Sequence, residues 1–240
     1  IYENWTDVSG FLIADPRIVD NPKVIRTITY KELRELSYMG ATVLHEDAIF
    51  PVRTAGIPIN IRNTNDPSAD GTMIVSEDNS DESSKNTITG IAGKKGFCAI
   101  NIEKAMMNSE IGFVKKILDI LYKNKLSFEH IPSGIDTMTI VMSSASLEGK
   151  EESVLAQIRK EIQPDHLEIE HDIALLAVVG RGMYKTRGTA ARVFAALAHA
   201  RINVKMIDQG SSEMNIIIGI GQHDFEEAIK CIYSMFVDTI

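Results

Sequence analysis

Apolar residues return at three- and four-residue steps in two stretches of the chain, and the two stretches match. Phe113, Ile117, Ile120 and Leu121 mark one face of a predicted helix, and Ala190, Val193, Phe194, Leu197 and Ala198 mark another. A shift of 76 positions, the distance from Gly112 to Gly188, superposes them without a gap. Met107 then falls on Met183, Leu121 on Leu197, Ile131 on Ile207, Gly134 on Gly210, Met138 on Met214 and Ile140 on Ile216. Two copies of one unit are present.

Each copy reads as a polar loop ending in Gly, a helix, a short turn and two extended apolar stretches. Ser127 to Ile131 and Asn203 to Ile207 read as strands; Ser133-Gly134 and Gly210-Ser211-Ser212 supply hairpin chemistry, and Thr137 to Met142 and Met214 to Ile220 are the returning strands. Further helices are expected at Glu151 to Ile162 and Asp224 to Phe236, and strands before the Gly loops at Phe97 to Ile102 and Ile173 to Val179. The unit is β-α-β-β-α-β, the split βαβ arrangement of ferredoxin-like folds. His166 to Glu170 can supply the first copy's fourth strand, but the sequence ends just after the second copy's last helix. The upstream apolar run Ile88 to Ala92 is the available replacement, which predicts that the first domain is inserted in the second.

Residues 1 to about 75 have a different texture. A helix from Tyr30 to Met39 is opened by Thr29 as N-cap with Glu32 three residues on, and another is expected from about His45 to Thr54. Strands follow at Ile57 to Arg62 and Thr72 to Val75, an alternation that suits the end of an α/β domain. The run Trp5 to Arg17 packs Thr6, Asp7, Gly10, Asp15, Pro16 and Arg17 around an apolar centre. It has two readings: Arg17 offers a planar fork suited to phosphate oxygens beside a Thr6-Asp7 turn, or the segment is a turn with an Asp-Arg surface pair. Ser76 to Asn86 contains no apolar residue and reads as a linker; it lacks the Gly turn and ligand spacing of a calcium loop.

Composition narrows the field. The chain has 240 residues, a net charge of −8 and a pI near 5.3, enough for two or three small domains, and its acidic balance without a basic tract argues against a nucleic-acid partner. Its apolar runs fall short of the roughly 20 residues a membrane span needs, and no signal peptide is visible. Cys98 and Cys231 fall in a predicted strand and helix and read as buried thiols rather than a disulfide or metal site, which suits a reducing compartment, the cytoplasm. With Ile1 in place of an initiating Met, the chain is expected to be a piece of something longer.

The pair Thr6-Asp7-Val8-Ser9-Gly10 and Ala14-Asp15-Pro16-Arg17, then Glu35 to Ala41, Val43-Leu44-His45 and Ile57 to Thr64, resembles the C-terminal half of bacterial aspartate kinases. The resemblance covers essentially the whole chain and implies the end of an amino-acid-kinase α/β domain (1–78), a linker (79–87) and two ACT-type regulatory domains (96–171, and 88–95 with 172–240). Such enzymes phosphorylate the side-chain carboxylate of L-aspartate with ATP and Mg²⁺, on the way to lysine, threonine and methionine, and the ACT pair binds an end-product amino acid that shuts them off. Carried over by position, Thr6 and Asp7 match residues near the nucleotide; Leu12, Asp15, Pro16 and Arg17 lie in the segment matching the lining of adenine and phosphates. Thr42 and His45-Glu46-Asp47 replace the family's usual Lys and His-Pro-Arg, which removes a cation near the nucleotide. The aspartate-binding and catalytic residues would precede Ile1. The alternative reading is a free-standing amino-acid-sensing module without catalysis.

An effector site is expected in the first repeat. A Gly at a helix start lets a ligand carboxylate approach the backbone N–H groups there. Met107, Ser109, Glu110, Ile111, Gly112, Phe113 and Val114 form that start, and Ser127, Phe128 and Glu129 follow on the next strand, where Glu129 could accept the α-ammonium of lysine, alone or with threonine. Position 205, the counterpart of Glu129, is Lys205, so the second repeat reads as a pairing partner. Met107 and Phe113 equally suit a core. Exposed sheet edges predict a homodimer or higher homo-oligomer through the repeats.

Overall fold

A computed structural model describes residues 1–41, 51–76 and 87–238. Thr42, His45 to Asp47, most of the expected linker and most of the helix expected from His45 to Thr54 lie outside the described residues; residues 51–54 are helical. In chain order the main elements are β1 (Tyr2–Thr6), β2 (Thr27–Thr29), α1 (Tyr30–Tyr38), β3 (Ile59–Asn63), β4 (Thr72–Val75), β5 (Gly90–Glu103), α2 (Phe113–Lys123), β6 (Thr137–Ser143), α3 (Glu151–Ile162), β7 (His166–Val179), α4 (Thr189–His199), β8 (Val204–Asp208), β9 (Asn215–Gly221) and α5 (Phe225–Tyr233). The fold is mixed α/β and α+β.

Two compact units result, one of Ile1–Lys94, Leu175–Ile220 and Asp224–Ile240, the other of Lys95–Ala174 and Gly221–His223. The larger unit contains a four-stranded sheet in the order β1-β3-β4-β2, with β1 parallel to β3, β2 parallel to β4, and β3 antiparallel to β4. Ile28, Ile61 and Ile74 are fully buried on it. Helix α1 starts where the sequence places it: Thr29 Oγ1 accepts from Glu32 N at 3.3 Å while Glu32 Oε2 accepts from Thr29 N at 2.9 Å. The same unit carries the second repeat, whose β9 pairs antiparallel with β8 through Ile207↔Ile218 and Asp208↔Ile217.

The smaller unit is the first repeat. Its β5 pairs antiparallel with β6 from Phe97↔Ser143 to Glu103↔Thr137, and α2 and α3 bury Ile117, Ile120, Val154 and Ile158 against Ile100 and Ile140. The strand expected from Ser127 to Ile131 is not one: the segment makes only the isolated bridge His130↔Val141, and a second, Ser133↔Met138, follows it. Pro132, which has no N–H and a fixed φ, interrupts the ladder and contributes only its carbonyl, accepting from Thr139 N at 2.9 Å. The second repeat has Asp208 at that place and forms the regular strand β8.

A second difference concerns strand length. The stretches expected as separate strands at Ile88 to Ala92 and Phe97 to Ile102 merge into β5, and those at His166 to Glu170 and Ile173 to Val179 into β7. Gly93, inside β5, is there for space: a Cβ on it would come within 2.7 Å of Leu175 O and of the Phe225 ring.

The 76-residue offset holds in backbone detail. The turn Met107–Ser109 has its counterpart in Met183–Lys185, Gly112 at φ 80 in Gly188 at φ 83, and α2 in α4. Both helices close in a Schellman motif with a non-glycine left-handed residue: Lys125 at φ 53 and Arg201 at φ 59. Leu126 N donates to Leu121 O at 3.0 Å and Ile202 N to Leu197 O at 2.9 Å.

Candidate nucleotide and effector sites

The parallel strands β1 and β3 end side by side, and the first candidate cluster lies at their carboxyl ends, where open α/β sheets bind ligands. The Thr6 carbonyl accepts from Thr64 N at 2.8 Å and Thr64 Oγ1 at 3.0 Å, and Asn63 Nδ2 donates to Ser9 Oγ at 2.8 Å. Thr6 Oγ1 donates to Asp7 Oδ1 at 3.2 Å, leaving Asp7 exposed. The chain is then pinned by buried Thr72, whose Oγ1 accepts from Phe11 N at 2.8 Å and donates to Ile25 O at 2.6 Å.

That pinning sets up the second candidate cluster. Half-buried Leu12 bridges Val24, and the turn that follows holds Asp15, Pro16 and Arg17. The Asp15 carboxylate accepts from Arg17 N at 2.9 Å, from Nε at 3.0 and 3.1 Å and from Nη2 at 2.6 Å. The Arg17 hydrogen bonds hold the Asp15 carboxyl below the usual carboxylate range despite its partial burial. Asp15 therefore aims the guanidinium, and Nη1 of an otherwise exposed side chain remains available for an anion.

In the first repeat, Gly112 starts α2 with no side chain capping the first turn. Met107 and Phe113 are core residues, so they can offer a ligand only backbone atoms. Ser109, Ser127 and Phe128 are exposed, Val114 is 45% exposed and Ile111 is 99% exposed, while Glu129 is half-buried with its N–H donating to Val141 O at 2.8 Å. Lys205, at the matching place in β8, is exposed.

Sequence reasoning missed a charged triangle at this loop. Glu110 Oε2 accepts from Lys104 Nζ at 2.6 Å and Oε1 from Lys116 Nζ at 2.5 Å, and Lys104 Nζ also donates to Ile162 O at 2.7 Å. The hydrogen bonds from Lys104 and then Lys116 hold the Glu110 carboxyl below its ordinary range. The six-residue steps Lys104, Glu110, Lys116 were the available signal; the matching positions of the second repeat are Gly180, Thr186 and Arg192, so the triangle belongs to the first repeat's loop.

Comparison with known proteins gives two family matches: the amino acid kinase family over residues 2–63 and the ACT domain over residues 176–236. The chain is 43% identical over 237 residues to aspartokinase 3 of Bacillus subtilis, covering 98% of this chain and 52% of that protein. It is similar to the crystal structure of an aspartate kinase from Clostridium acetobutylicum, with a TM-score of 0.91, 57% identity, and coverage of 98% of this chain and 54% of that one. Escherichia coli aspartokinase III in complex with aspartate and ADP shares the fold, with a TM-score of 0.77 at 24% identity over 97% of this chain and 51% of that one. The chain thus spans about half the length of these relatives.

Proposed function

We propose that this chain, a member of the aspartokinase family, is the C-terminal half of an aspartate kinase, which transfers the γ-phosphoryl group of ATP to the side-chain carboxylate of L-aspartate and is inhibited by an end-product amino acid. The observation that carries the proposal is the joining of an amino-acid-kinase segment to ACT-type repeats in one chain that aligns over 98% of its length with the Clostridium aspartate kinase. On this reading residues 1–78 end the catalytic domain, 96–171 form the first regulatory domain, and 88–95 with 172–240 form the second, into which the first is inserted. The approach to β5 supports the insertion, because Thr89 N donates to Val179 O at 2.7 Å.

Thr6, Asp7 and the Leu12 to Arg17 segment line the nucleotide, with Arg17 on a phosphate oxygen. On this reading Mg²⁺ arrives on the nucleotide's phosphates. The effector is lysine, alone or together with threonine, at the α2 N-terminus between Met107 and Val114 and at Ser127 to Glu129. E. coli aspartokinase III has been solved with lysine and aspartate, which supports that choice of class. Exposed Met106, Ile111 and Ile135 around this loop support pairing with a second copy. Among the described residues no helix is long and apolar enough to cross a membrane.

The test is to join the chain to an upstream aspartate-kinase half and assay ATP-dependent formation of aspartyl phosphate with and without lysine. Lysine-sensitive activity is expected, along with little ATP binding by the chain alone and a dimer in light scattering. A joined protein that folds but forms no aspartyl phosphate, or tight ATP binding by the chain alone, overturns the assignment.

A further inference from the structure

The capping box of α1 contains more than a cap. Glu32 is fully buried, and its two carboxylate oxygens gather donors from three separate parts of the larger unit. Oε2 accepts from Thr29 N at 2.9 Å and Thr29 Oγ1 at 2.7 Å; Oε1 accepts from Thr89 Oγ1 at 2.5 Å and from Arg181 N at 3.1 Å. Arg181 Nη1 stands 3.4 Å from Oε2. A helix cap needs only the Thr29 contacts. The remaining donors come from the approach to β5 and from the turn after β7, 57 and 149 residues away in sequence.

Two features make this a built junction. Gly180 admits no side chain: a Cβ on it would lie 2.6 Å from Ile88 Cα and 2.7 Å from Thr87 O, so the turn after β7 is seated directly on the segment that carries Thr89. One helical turn along, on the same face of α1, Glu35 Oε2 accepts from Asn215 Nδ2 at 2.7 Å. We infer that Glu32 is the positioning residue that couples α1 to the second repeat, so that the Gly180–Gly188 loop and the first turn of α1 open and close as one cooperative element.

Buried Glu32 cannot be left with part of its set. Its charge is compensated only while Arg181 and the donors are in place, so displacing the Arg181 turn strips the carboxylate and withdraws support from the α1 N-terminus. A Gln in its place would offer one acceptor oxygen where two are used. Hydroxyls can rotate to accept from the amide, but backbone N–H groups cannot, so either Thr29 N or Arg181 N would lose its partner. A regulatory consequence, resting on the aspartate-kinase reading above, is that an effector-driven shift of the repeats reaches the kinase segment through this carboxylate.

The experiment is amide hydrogen exchange on the intact chain for the wild type, Glu32→Gln, Arg181→Met and Thr29→Ala. Arg181→Met reaches α1 only through the Glu32 carboxylate, and it should raise exchange at Glu32 and Leu33 by about 10-fold, the loss expected for one charge-assisted contact. Thr29→Ala removes the cap and one donor to the same carboxylate, so it should speed exchange in the first turn of α1 and at Arg181 together, and a rise confined to α1 overturns the cooperative element. If Arg181→Met leaves the α1 amides unchanged, the coupling is absent whether or not Glu32→Gln folds. Joined to an upstream kinase half, Glu32→Gln should shift the lysine concentration for half-inhibition by about 10-fold. Inhibition of the wild type with no shift in Glu32→Gln overturns the regulatory consequence. A wild type without lysine response instead counts against the function proposed above and leaves the exchange result to decide the coupling.

Discussion

Arg17 Nη2 stands 2.6 Å from Asp15 Oδ2, on a turn where the Arg17 side chain is 86% exposed. So exposed a pair, screened by water, contributes little to folding. Its geometry is better suited to aiming a guanidinium than to stabilising a turn. Arg17→Ala should therefore leave the melting temperature within about 2 °C of the wild type, while raising the KM for ATP of the joined enzyme by about 10-fold or more. Asp15→Asn should also raise KM, to a smaller extent, because it frees the fork without removing it. Thermal melts and steady-state kinetics check both, and a large loss of stability with unchanged KM would make the pair a structural one.

Lys125 and Arg201 close α2 and α4 with left-handed backbones, at φ 53 and 59. A side chain there costs roughly 1 kcal/mol that glycine avoids. Lys125→Gly and Arg201→Gly should each stabilise the chain by about 0.5–1 kcal/mol in urea denaturation. The gains should add, since the two residues close different helices in different compact units.

Local patterns were legible in the sequence, and long-range ones were not. Thr29 and Glu32 lie within one helical turn, so the capping box could be read; the Thr89 and Arg181 contacts to the same carboxylate have no local period. The repeat offset was legible because Gly112 and Gly188 occupy the same left-handed position. The expected strand at Ser127 to Ile131 failed at Pro132, whose effect on a ladder outweighs the apolar pattern before it. The expected separation of Ile88 to Ala92 from Phe97 to Ile102 failed because β5 runs through Gly93, a glycine required by close packing. Likewise, the Lys104–Glu110–Lys116 triangle is assembled by a loop whose path the sequence does not specify.

That triangle gives the loop an acid-sensitive part. Glu110 has a folded-state pKa lowered from 4.5 by Lys104 and Lys116, so its contribution is fully present above pH 4.5 and is lost as pH falls through the lowered value. Glu110→Gln should melt below the wild type at pH 7. The gap should narrow on acidification below pH 4.5. Melting curves of both proteins between pH 7 and pH 3 measure this, and a gap that stays constant would mean the carboxylate's charge is irrelevant there.

The two repeats offer a ligand the same helix start but opposite charges: half-buried Glu129 follows α2, and exposed Lys205 follows α4. Each helix begins at a left-handed Gly with no side chain capping its first turn, so either could receive a carboxylate. Only the first has an acidic side chain at the matching position after the helix to accept an α-ammonium. Removing such a contact from a partly desolvated site costs about 1.5–3 kcal/mol, so Glu129→Ala should weaken lysine binding by roughly 10- to 150-fold. Lys205→Ala should leave the affinity within about threefold, because a change of that size corresponds to less than one neutral hydrogen bond. Calorimetry on the wild type and both variants decides between the repeats. If Lys205→Ala abolishes binding while Glu129→Ala preserves it, the second repeat holds the effector; if lysine, threonine and methionine all fail to bind a dimeric wild type, the effector assignment itself is wrong.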